Sequence, residues 1–559
     1  MVDDPGKGGS AASSALDSGQ NENENENGAE NLPTGPKKPL RFYLAFLSLV
    51  IMVLLVTLDS TILPVALPVI TKDLHGTSLD GFWANLTFLL AVVSTQPLYV
   101  SASDIIGRKP LLYAAFLLFF VGSIIFATAN SIGVLIAGRL VQGLGGGGLD
   151  VLNEVLICDI TTLKERPLWI GLLSIPLAAG SILGPVLGAV FTEYASWRYI
   201  GWLNLPLVAV SFGLAAYALR LKPVEGSLLS RVRRLDWIGM ALFAAGSALF
   251  ALPLSWGGAL YPWSSVRTIL PLIIGFLILV LFAVYEARPA EPVMPYRIFN
   301  SRTASATLLG GSIHGLVLYP LLLYVPLFFQ AVYLQAPLQA AISILPLCSV
   351  LIGFTAISGF AVEYLRHYRS QLWVGWATMA TGVGLFALWG NDFSRAETAS
   401  FQVIAAIGLG THFVVPAIAM QASASRVEDQ GLAVGTLVSF RLFGALIGLS
   451  VGSTTFSNTF SQSIARLGPL PESVALLSDS ANAIGFIPSL RDVDVSPQLL
   501  DAIRMVYCTS MRTLWYFLAG ASGLGFLTSF LIQNLSLETE EVGKQHIDEQ
   551  PTLSEKDPS

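Results

Sequence analysis

Long apolar segments limit the possible folds of this chain more than any other sequence feature. A helix of about 20 residues crosses a hydrocarbon core about 30 Å thick, and lipid favours helices because each backbone hydrogen bond must be made within the segment. With 53% hydrophobic and 12% charged residues, the chain is predicted to be an all-α integral membrane protein. The sequence predicts fourteen spans, at residues 42–70, 80–101, 110–129, 132–156, 168–191, 200–219, 236–256, 268–286, 304–328, 338–360, 371–390, 400–424, 432–456 and 510–533.

Basic residues indicate how these spans are oriented. An even number of spans places both tails on the same side, and loops rich in Lys and Arg mark the cytoplasmic side. Lys37, Arg108, Arg231 and Arg366 all fall in the first tail or in loops assigned to one side. Both tails are therefore predicted to be cytoplasmic, and the long segment 457–509 is predicted to lie outside.

An internal repeat divides the predicted bundle. VSASDIIGRK at 100–109 follows the second span and GFAVEYLRHYR at 359–369 follows the tenth, and each carries an acid followed by basic residues. Charge collects in any cytoplasmic loop, but a repeat that pairs the first six spans with the last six also explains the match. The predicted domains are a disordered cytoplasmic tail 1–41, a six-helix bundle 42–219, two inserted helices with flanking loops 220–303, a six-helix bundle 304–533 and a cytoplasmic tail 534–559.

The positions of cysteine and histidine argue against several kinds of site. Cys158, Cys348 and Cys508 lie far apart without metal-ligand spacing, so neither a zinc site nor a disulfide framework is expected. The sequence shows neither clustered His ligands nor a nucleophile with its base, which argues against a membrane enzyme. We expect no metal, no cofactor and no nucleic-acid partner.

One face of the fourth span carries polar side chains. At 3.6 residues per turn, apolar residues such as Leu140 and Leu144 cover the other faces. An ionisable side chain in a bilayer is tolerated where it faces a protein interior or a water-filled cavity. The polar stripe is therefore predicted to line a pathway, and it consists of Arg139, Gln142, Gly143, Gly146, Asp150, Asn153 and Glu154.

Asp59 is the sole acid in the first span, at a depth similar to that of Arg139, since each helical residue rises about 1.5 Å. Two interpretations stay open. The two residues can form a structural ion pair, or an acid can gain and lose a coupling proton, either Asp59 or the Asp150 and Glu154 pair. We expect Arg139 to have a coupling role as well as a structural one, because its permanent charge influences whether a neighbouring carboxylate is protonated.

The second half of the chain places His314, His412 and Arg441 within predicted spans. Two histidines at similar depth could form a proton site or a polar contact for cargo. For each histidine the alternative is a hydrogen bond between helices. Together with Gln142 and Asn153, these three residues are the predicted cavity or substrate contacts.

Gly180, Gly184 and Gly188 recur every four residues on one face of the fifth span, and Pro185 lies among them. Small residues at this spacing let a second helix approach closely, and the proline removes a backbone donor and can kink the helix. Helix packing explains the pattern under any function. The functional interpretation is a rigid contact that limits leakage and favours exchange.

Five short motifs follow one another along the chain: LDSTILPVALP at 58–68, SDIIGRK at 103–109, GRLVQGLGGGG at 138–148, GSILGPVLG at 180–188 and WRYIGWLNLPL at 197–207. In this order they resemble the motifs of the major facilitator superfamily, and within it the fourteen-helix drug:proton antiporters. The resemblance implies a major facilitator fold with two six-helix repeats and two inserted central helices. It also implies that the glycines and proline of the fifth span are an antiporter motif.

The resemblance further implies a cytoplasmic latch in the repeated loops. The sequence departs from the family pattern at Val100, where the family usually has Gly, and at Ile105, where it usually has Arg. These departures predict a weaker latch. The implied latch residues are Asp104, Gly107, Arg108, Glu363 and Arg366.

These features predict a secondary active transporter that works by alternating access. It is expected to export small amphipathic molecules, such as secondary metabolites, toxins or antifungal drugs, in exchange for protons. The alternatives are a siderophore or vacuolar basic-amino-acid transporter of the same fold, and a membrane sensor that moves no cargo. The expected partners are the lipid bilayer, a small-molecule substrate and protons; the expected state is a monomer in the plasma membrane, with the vacuolar membrane as alternative.

Overall fold

Helix dominates the backbone of this chain, as expected where lipid offers no partner for backbone groups. A computed structural model describes residues 38–75, 78–222, 224, 227–257, 261–390, 392 and 394–537. The predicted tails, 1–41 and 534–559, lie largely outside the described residues. The described residues from Arg41 onward form one structural unit.

Long helices in the described part of the chain correspond to the predicted spans, with three short helices between them. The first group is α1 (Leu40–Asp73), α2 (Ser78–Ile106), α3 (Arg108–Ala127), α4 (Ile132–Ile160), α5 (Arg166–Tyr194) and α6 (Tyr199–Ala218). The central group is α7 (Leu228–Arg234), α8 (Trp237–Trp256) and α9 (Val266–Tyr285). The last group is α10 (Arg302–Ala331), α11 (Pro337–Ser343), α12 (Leu345–Leu365), α13 (Arg369–Leu385), α14 (Arg395–Ala422), α15 (Gln430–Ala465), α16 (Ala483–Phe486) and α17 (Pro497–Ser529).

Serine side chains define several helix starts. Ser131, Ser301, Ser394 and Ser496 each stand just before a helix and accept a hydrogen bond from a backbone N–H of its first turn. Such a cap satisfies one of the donors that a helix start leaves unpaired. The starts of α4, α10, α14 and α17 therefore follow from local sequence.

Hydropathy identifies most of the spans but not their ends. Among the described residues, 13 helices are long and apolar enough to cross a membrane. The remaining long helix, α17, is less apolar because Gly, Ser and Thr are interspersed among its Leu and Phe residues. Since α15 continues to Ala465 and α17 begins at Pro497, the predicted outer segment 457–509 is helical at both ends. These added helical turns contain polar residues, so the length of the apolar segments did not predict them.

Four consecutive glycines, Gly145–Gly148, let α4 pack against two helices at once. A Cβ on Gly145 would lie 2.4 Å from the backbone nitrogen of Phe119 in α3. A Cβ on Gly147 would lie 2.8 Å from the carbonyl oxygen of Val92 in α2. Backbone atoms cannot rotate away from such a contact. The glycine run therefore places α4 between α2 and α3.

The glycines of the predicted antiporter motif pack against α1. A Cβ on Gly188 would lie 2.5 Å from the carbonyl oxygen of Ile62, and one on Gly180 would lie 2.9 Å from the backbone nitrogen of Leu58. The Thr61 hydroxyl donates a 3.1 Å hydrogen bond to the carbonyl oxygen of Gly180. The motif thus serves helix packing, and its role in exchange stays a prediction.

The inserted helices α8 and α9 form a pair beside the other long helices. α8 contacts both α2 and α15, and the rings of Phe243 in α8 and Phe443 in α15 lie 6.2 Å apart. Val266, Leu277 and Val284 of α9 are each more than half exposed, at 71%, 58% and 61%. Such a surface suits contact with lipid. The division into two six-helix bundles with an insertion stays a prediction.

The two predicted bundles meet at the helix ends next to the latch loops. A Cβ on Gly359 of α12 would lie 2.5 Å from the carbonyl oxygen of Pro167 in α5. A Cβ on Gly435 of α15 would lie 2.4 Å from the side chain of Val100 in α2. Val100, which replaces the usual family glycine, therefore fills a contact between the bundles. The side of the molecule predicted to be cytoplasmic is closed.

The close contact between α1 and α5 leads us to expect that a methyl group added at Gly188 lowers the stability of the protein. Gly188→Ala places a Cβ against the carbonyl oxygen of Ile62, so we expect a lower thermal midpoint and a loss of about 1–3 kcal/mol, as is typical of overpacking. Gly213→Ala in α6 is the matched control, because a Cβ there meets nothing within 4 Å. Thermal unfolding of both purified variants in detergent measures the difference. Equal midpoints for the two variants would contradict the described packing.

Candidate functional site

A buried polar network joins four helices of the first group around Asp59. The Arg139 guanidinium donates from Nη1 to Asp59 Oδ2 at 2.6 Å. Two amides donate to the other carboxylate oxygen, Gln142 Nε2 at 2.8 Å and Asn204 Nδ2 at 2.8 Å. Gln142 Nε2 also donates to Ser123 Oγ at 3.1 Å. We call these residues the Asp59 network: Asp59, Ser123, Arg139, Gln142 and Asn204.

Each member of the Asp59 network is at most 1% exposed. The structure brings Asp59 and Arg139 together as an ion pair, at the similar depth that their positions along the helices indicated. The Arg139 guanidinium also lies 4.1 Å from the centre of the Phe88 ring in α2, a favourable cation–π contact. Removing one partner of such a buried pair typically costs about 3–5 kcal/mol because the other charge stays buried.

Sequence reasoning missed two members of this network. Asn204 lies inside the WRYIGWLNLPL motif, so the motif itself was a signal, but nothing in the spacing tied it to Asp59. Ser123 is one of several small polar residues in apolar helices and carries no distinguishing pattern. Both contacts depend on the register between helices, which a single sequence does not show.

The predicted polar stripe of α4 separates into two parts. Arg139 and Gln142 are sealed inside the first group of helices, whereas Asp150 and Glu154 are half-buried. Gly143 packs against α2, because a Cβ on it would lie 2.6 Å from a backbone oxygen. Only the second part of the stripe is therefore placed to face the other bundle.

Acids of α4 face a base of α15 across the two predicted bundles. Gln96 Nε2 of α2 donates to Asp150 Oδ2 at 2.7 Å, and the charge of Arg441 acts on both Glu154 and Asp150. Asn153 is 2% exposed, and its Oδ1 has no hydrogen-bond partner among the described residues. We call this set the interbundle polar cluster: Gln96, Asp150, Asn153, Glu154 and Arg441.

Arg441 is fixed by α14. Its Nη2 donates to the carbonyl oxygen of Phe413 at 3.0 Å, and its guanidinium lies 4.7 Å from the centre of the Phe413 ring. Its Nε has no hydrogen-bond partner among the described residues. The Arg441 guanidinium is thus held in place and keeps an unused donor.

The two membrane histidines lie close together between helices of the last group. The His314 and His412 rings are 6.2 Å apart. His314 Nε2 lies 3.1 Å from the carbonyl oxygen of Leu409, and His412 Nδ1 lies 3.0 Å from that of Gly408. Trp376 packs on His412 at 4.2 Å between ring centres. Each histidine has a backbone partner, and a role in proton transfer or cargo contact stays a prediction.

The predicted latch is built around Arg108. Its guanidinium contacts Asp104 Oδ1 at 2.7 Å and Asp159 Oδ2 at 2.9 Å, and it donates to Ser103 Oγ at 2.7 Å. Gly107 has φ 111° where the chain turns between α2 and α3, a conformation that favours glycine. Asp159 was missed because it lies at the end of α4, beyond the polar stripe.

The counterpart loop connects to the first bundle. Arg366 Nη1 donates to the carbonyl oxygen of Lys164 at 2.9 Å, in the connection between α4 and α5. Glu363 lies one turn earlier on α12 and is half-buried. Ile105, which replaces the usual family arginine, is 7% exposed and packs with Leu235. Ile105 therefore contributes apolar packing near the latch in place of charge.

Arg166 crosses between the bundles with neutral partners. Its Nη1 donates to Gln421 Oε1 of α14 at 2.7 Å and to Gln430 Oε1 of α15 at 2.8 Å. Its Nη2 donates to the carbonyl oxygens of Cys158 at 2.8 Å and Thr161 at 2.7 Å. Arg166 is fully buried. We call this set the Arg166 clamp; no sequence motif singled out Arg166.

An ion pair between an exposed arginine and a buried aspartate lies near the Arg166 clamp. Arg297, in the connection between α9 and α10, donates from Nε and Nη2 to the two carboxylate oxygens of Asp429, each at 2.8 Å. Such bidentate pairs are the stronger kind of ion pair. The hydrogen bonds that Arg297 donates to Asp429 raise the pKa of Arg297. This pair connects the end of the insertion to the start of α15.

Comparison with known proteins gives one consistent family. Residues 49–449 match the family model described as Major Facilitator Superfamily. The MFS-type transporter sphD of Aspergillus fumigatus is 42% identical over 93% of this chain and 90% of that protein. The MFS-type efflux pump LUC4 of Fusarium sp is 32% identical over 94% of each chain. The solved structure of the proton:xylose symporter XylE has a TM-score of 0.57 at 12% identity, over 89% of this chain and 98% of that one, a likeness of fold.

Loss of the Arg166 clamp is expected to make the buried thiol of Cys158 more reactive, because the two predicted bundles then separate more often. Cys158 is 0% exposed and accepts a hydrogen bond from Gln421 Nε2 at 3.4 Å. In a background with Cys348→Ser and Cys508→Ser, we expect Arg166→Met to speed maleimide labelling of Cys158 about tenfold, the effect of about 1.4 kcal/mol on an equilibrium.

Arg233→Met, which changes an exposed arginine of α7, is the matched control and should leave the labelling rate unchanged. Labelling is measured on purified protein in detergent by mass spectrometry over time. If Arg166→Met and the control label at the same rate, the clamp does not hold the bundles closed.

Proposed function

The chain belongs to the Major Facilitator Superfamily and is a multi-pass membrane transporter, and we propose that it exports small amphipathic molecules in exchange for protons. The Fusarium relative is named an efflux pump. Nearly the whole of both chains is aligned. The interbundle polar cluster carries the proposal. In this cluster the charge of Arg441 in α15 acts on two half-buried carboxylates of α4, Asp150 and Glu154.

Proton coupling follows from the alternating environment of these carboxylates. In this state, closed on the side predicted to be cytoplasmic, Asp150 and Glu154 face Arg441. A rearrangement that moves α4 relative to α15 changes how strongly this positive charge favours the ionised carboxylates, and therefore how readily they bind a proton. Proton uptake and release are thereby linked to the change of facing. Asp59 remains a second candidate, with Arg139 in the coupling role.

The cargo class follows from the polar atoms that the cluster leaves unused. Gln96 Oε1, Asn153 Oδ1 and Arg441 Nε are buried without a hydrogen-bond partner among the described residues. Such groups offer a few directed hydrogen bonds in an apolar surrounding, as ligand pockets usually do. Secondary metabolites, toxins and antifungal compounds fit this description.

The setting in the cell is part of the same proposal. We place the protein in the plasma membrane, with the vacuolar membrane as alternative, and both tails in the cytoplasm. The segment 457–509 then lies outside, and the protein acts as a monomer. Excess basic residues in loops on one side support the orientation.

Transport by purified protein in lipid vesicles tests the proposal. With an acidic lumen and inside-out protein, we expect vesicles to accumulate amphipathic compounds and to lose this activity when a protonophore removes the gradient. A panel of antifungal compounds, siderophores and basic amino acids covers the alternatives. Gradient-driven movement of a siderophore or lysine, with no amphipathic compound moved, would contradict the proposal.

The same assay tests the coupling role of Arg139. We expect Arg139→Ala to insert in the membrane and lose gradient-driven transport, because the Asp59 carboxylate then lacks its positive partner. Arg139→Lys keeps the charge but loses the planar fork, so partial activity should remain. Glu428→Gln, at an exposed position, is the control. Full gradient-driven transport by well-expressed Arg139→Ala would remove Arg139 from the coupling mechanism.

A further inference from the structure

A cavity of about 600 Å³ lies beside the inserted helices, away from the interbundle polar cluster. Its lining includes Phe243 of α8, Phe282 of α9, and Phe440 and Phe443 of α15, and the rings of Phe243 and Phe443 contact each other. This volume falls in the range of about 300–1,000 Å³ that holds a drug-sized ligand. The cavity is therefore large enough for one small lipid.

Glu286 supplies an unused acceptor at the cavity wall. It is 3% exposed, and its Oε2 accepts a 2.9 Å hydrogen bond from the backbone N–H of Met294. Its Oε1 has no hydrogen-bond partner among the described residues. The hydroxyls of Ser312 and Ser439, also in the lining, donate to their own helices. Oε1 is thus an acceptor without a direct hydrogen bond in the described lining, although the backbone N–H of Val293 also acts on this carboxylate.

The charge of the lining limits the head group. No lysine or arginine lines the described part of this cavity, so an anionic phosphate or carboxylate would meet Glu286 without a positive partner. Burial, together with the nearby Asp236, raises the pKa of Glu286. A hydroxyl group suits either form of the acid because it both donates and accepts hydrogen bonds.

The depth and shape of the cavity limit the body of the ligand. Glu286 is the first residue after α9, at the membrane interface, whereas Ser312 stands ten residues into α10 (312 − 302), roughly 15 Å along the helix. The rings of Phe243 and Phe282 lie 5.3 Å apart in an edge-on arrangement. Aromatic walls that run from the interface towards mid-membrane suit a flat, rigid, apolar body.

We propose that this cavity binds one sterol molecule from the adjacent leaflet. The sterol hydroxyl hydrogen-bonds Glu286 Oε1 at the interface, and the fused rings lie against the phenylalanines of α8, α9 and α15. A sterol has one small uncharged head group at this depth and a flat body behind it. The bound sterol fills the space between the inserted pair and α15, a site separate from the proposed cargo contacts.

Photolabelling of the purified full-length transporter tests the proposal. With a photoactivatable cholesterol analogue in detergent, we expect labelled peptides from α9, the segment 286–299 and α15, and competition by unlabelled ergosterol. Glu286→Leu removes the polar partner and should lower labelling about tenfold, the effect of one lost buried hydrogen bond. Glu286→Gln keeps an acceptor and should retain most of the labelling.

A second pair of variants tests the cavity itself and does not depend on Glu286. Ala283→Phe adds a ring at a residue of the lining and should reduce labelling, whereas Val284→Phe, at the adjacent lipid-facing position, should not. Elution profile and thermal midpoint establish that each variant is folded.

Labelling that Glu286→Leu and Ala283→Phe both leave unchanged, or that maps to other helices, would overturn the sterol site. Equal loss in Glu286→Gln and Glu286→Leu, with competition by phosphatidylethanolamine and none by ergosterol, would assign the cavity to an amine-bearing lipid and also overturn the proposal.

Discussion

The buried ion pair between Asp59 and Arg139 links helices of the first predicted bundle. Lipid offers neither group a partner, so the Asp59 and Arg139 charges are tolerated only because each meets the other. Amides from two further helix positions complete the shell around Asp59. The result is a contact that α1, α4 and α6 can all make only in one register. Glycines then allow the backbones to come close enough: those of α4 against α2 and α3, and those of α5 against α1.

Buried charges also need partners in the contacts between the two predicted bundles, but there some of the partners are uncharged. Arg166 meets amide and carbonyl oxygens instead of carboxylates, so its partners can be exchanged for water without leaving an acid behind. In contrast, the interbundle polar cluster has ionisable groups on both helices: the acids Asp150 and Glu154 on α4, and the base Arg441 on α15. Closure therefore rests in part on hydrogen bonds from Arg166 to uncharged acceptors, while Asp150, Glu154 and Arg441 lie where cargo and protons are proposed to act.

Apolar length predicted the fold because a membrane imposes one secondary structure and one length. It failed at α15 and α17, whose added turns are polar, and it could not foresee the cavity beside the inserted pair. Helical rise placed Asp59 and Arg139 at similar depth, and the structure joins them. Partners such as Asn204, Asp159 and Gln421 escaped because rotation and register between helices are properties of packing. The polar stripe of α4 was also too simple, since one helix face can contact several neighbours along its length.

A double-mutant cycle on Asp59 and Arg139 tests the paired-charge account most directly. Asp59→Asn, Arg139→Gln and the combined variant are compared by thermal unfolding in detergent. If the two charges act as one buried unit, the combined variant should unfold at a higher temperature than Arg139→Gln alone, because no unpaired charge remains. Additive losses in the combined variant would show that the two side chains contribute independently and would contradict the account.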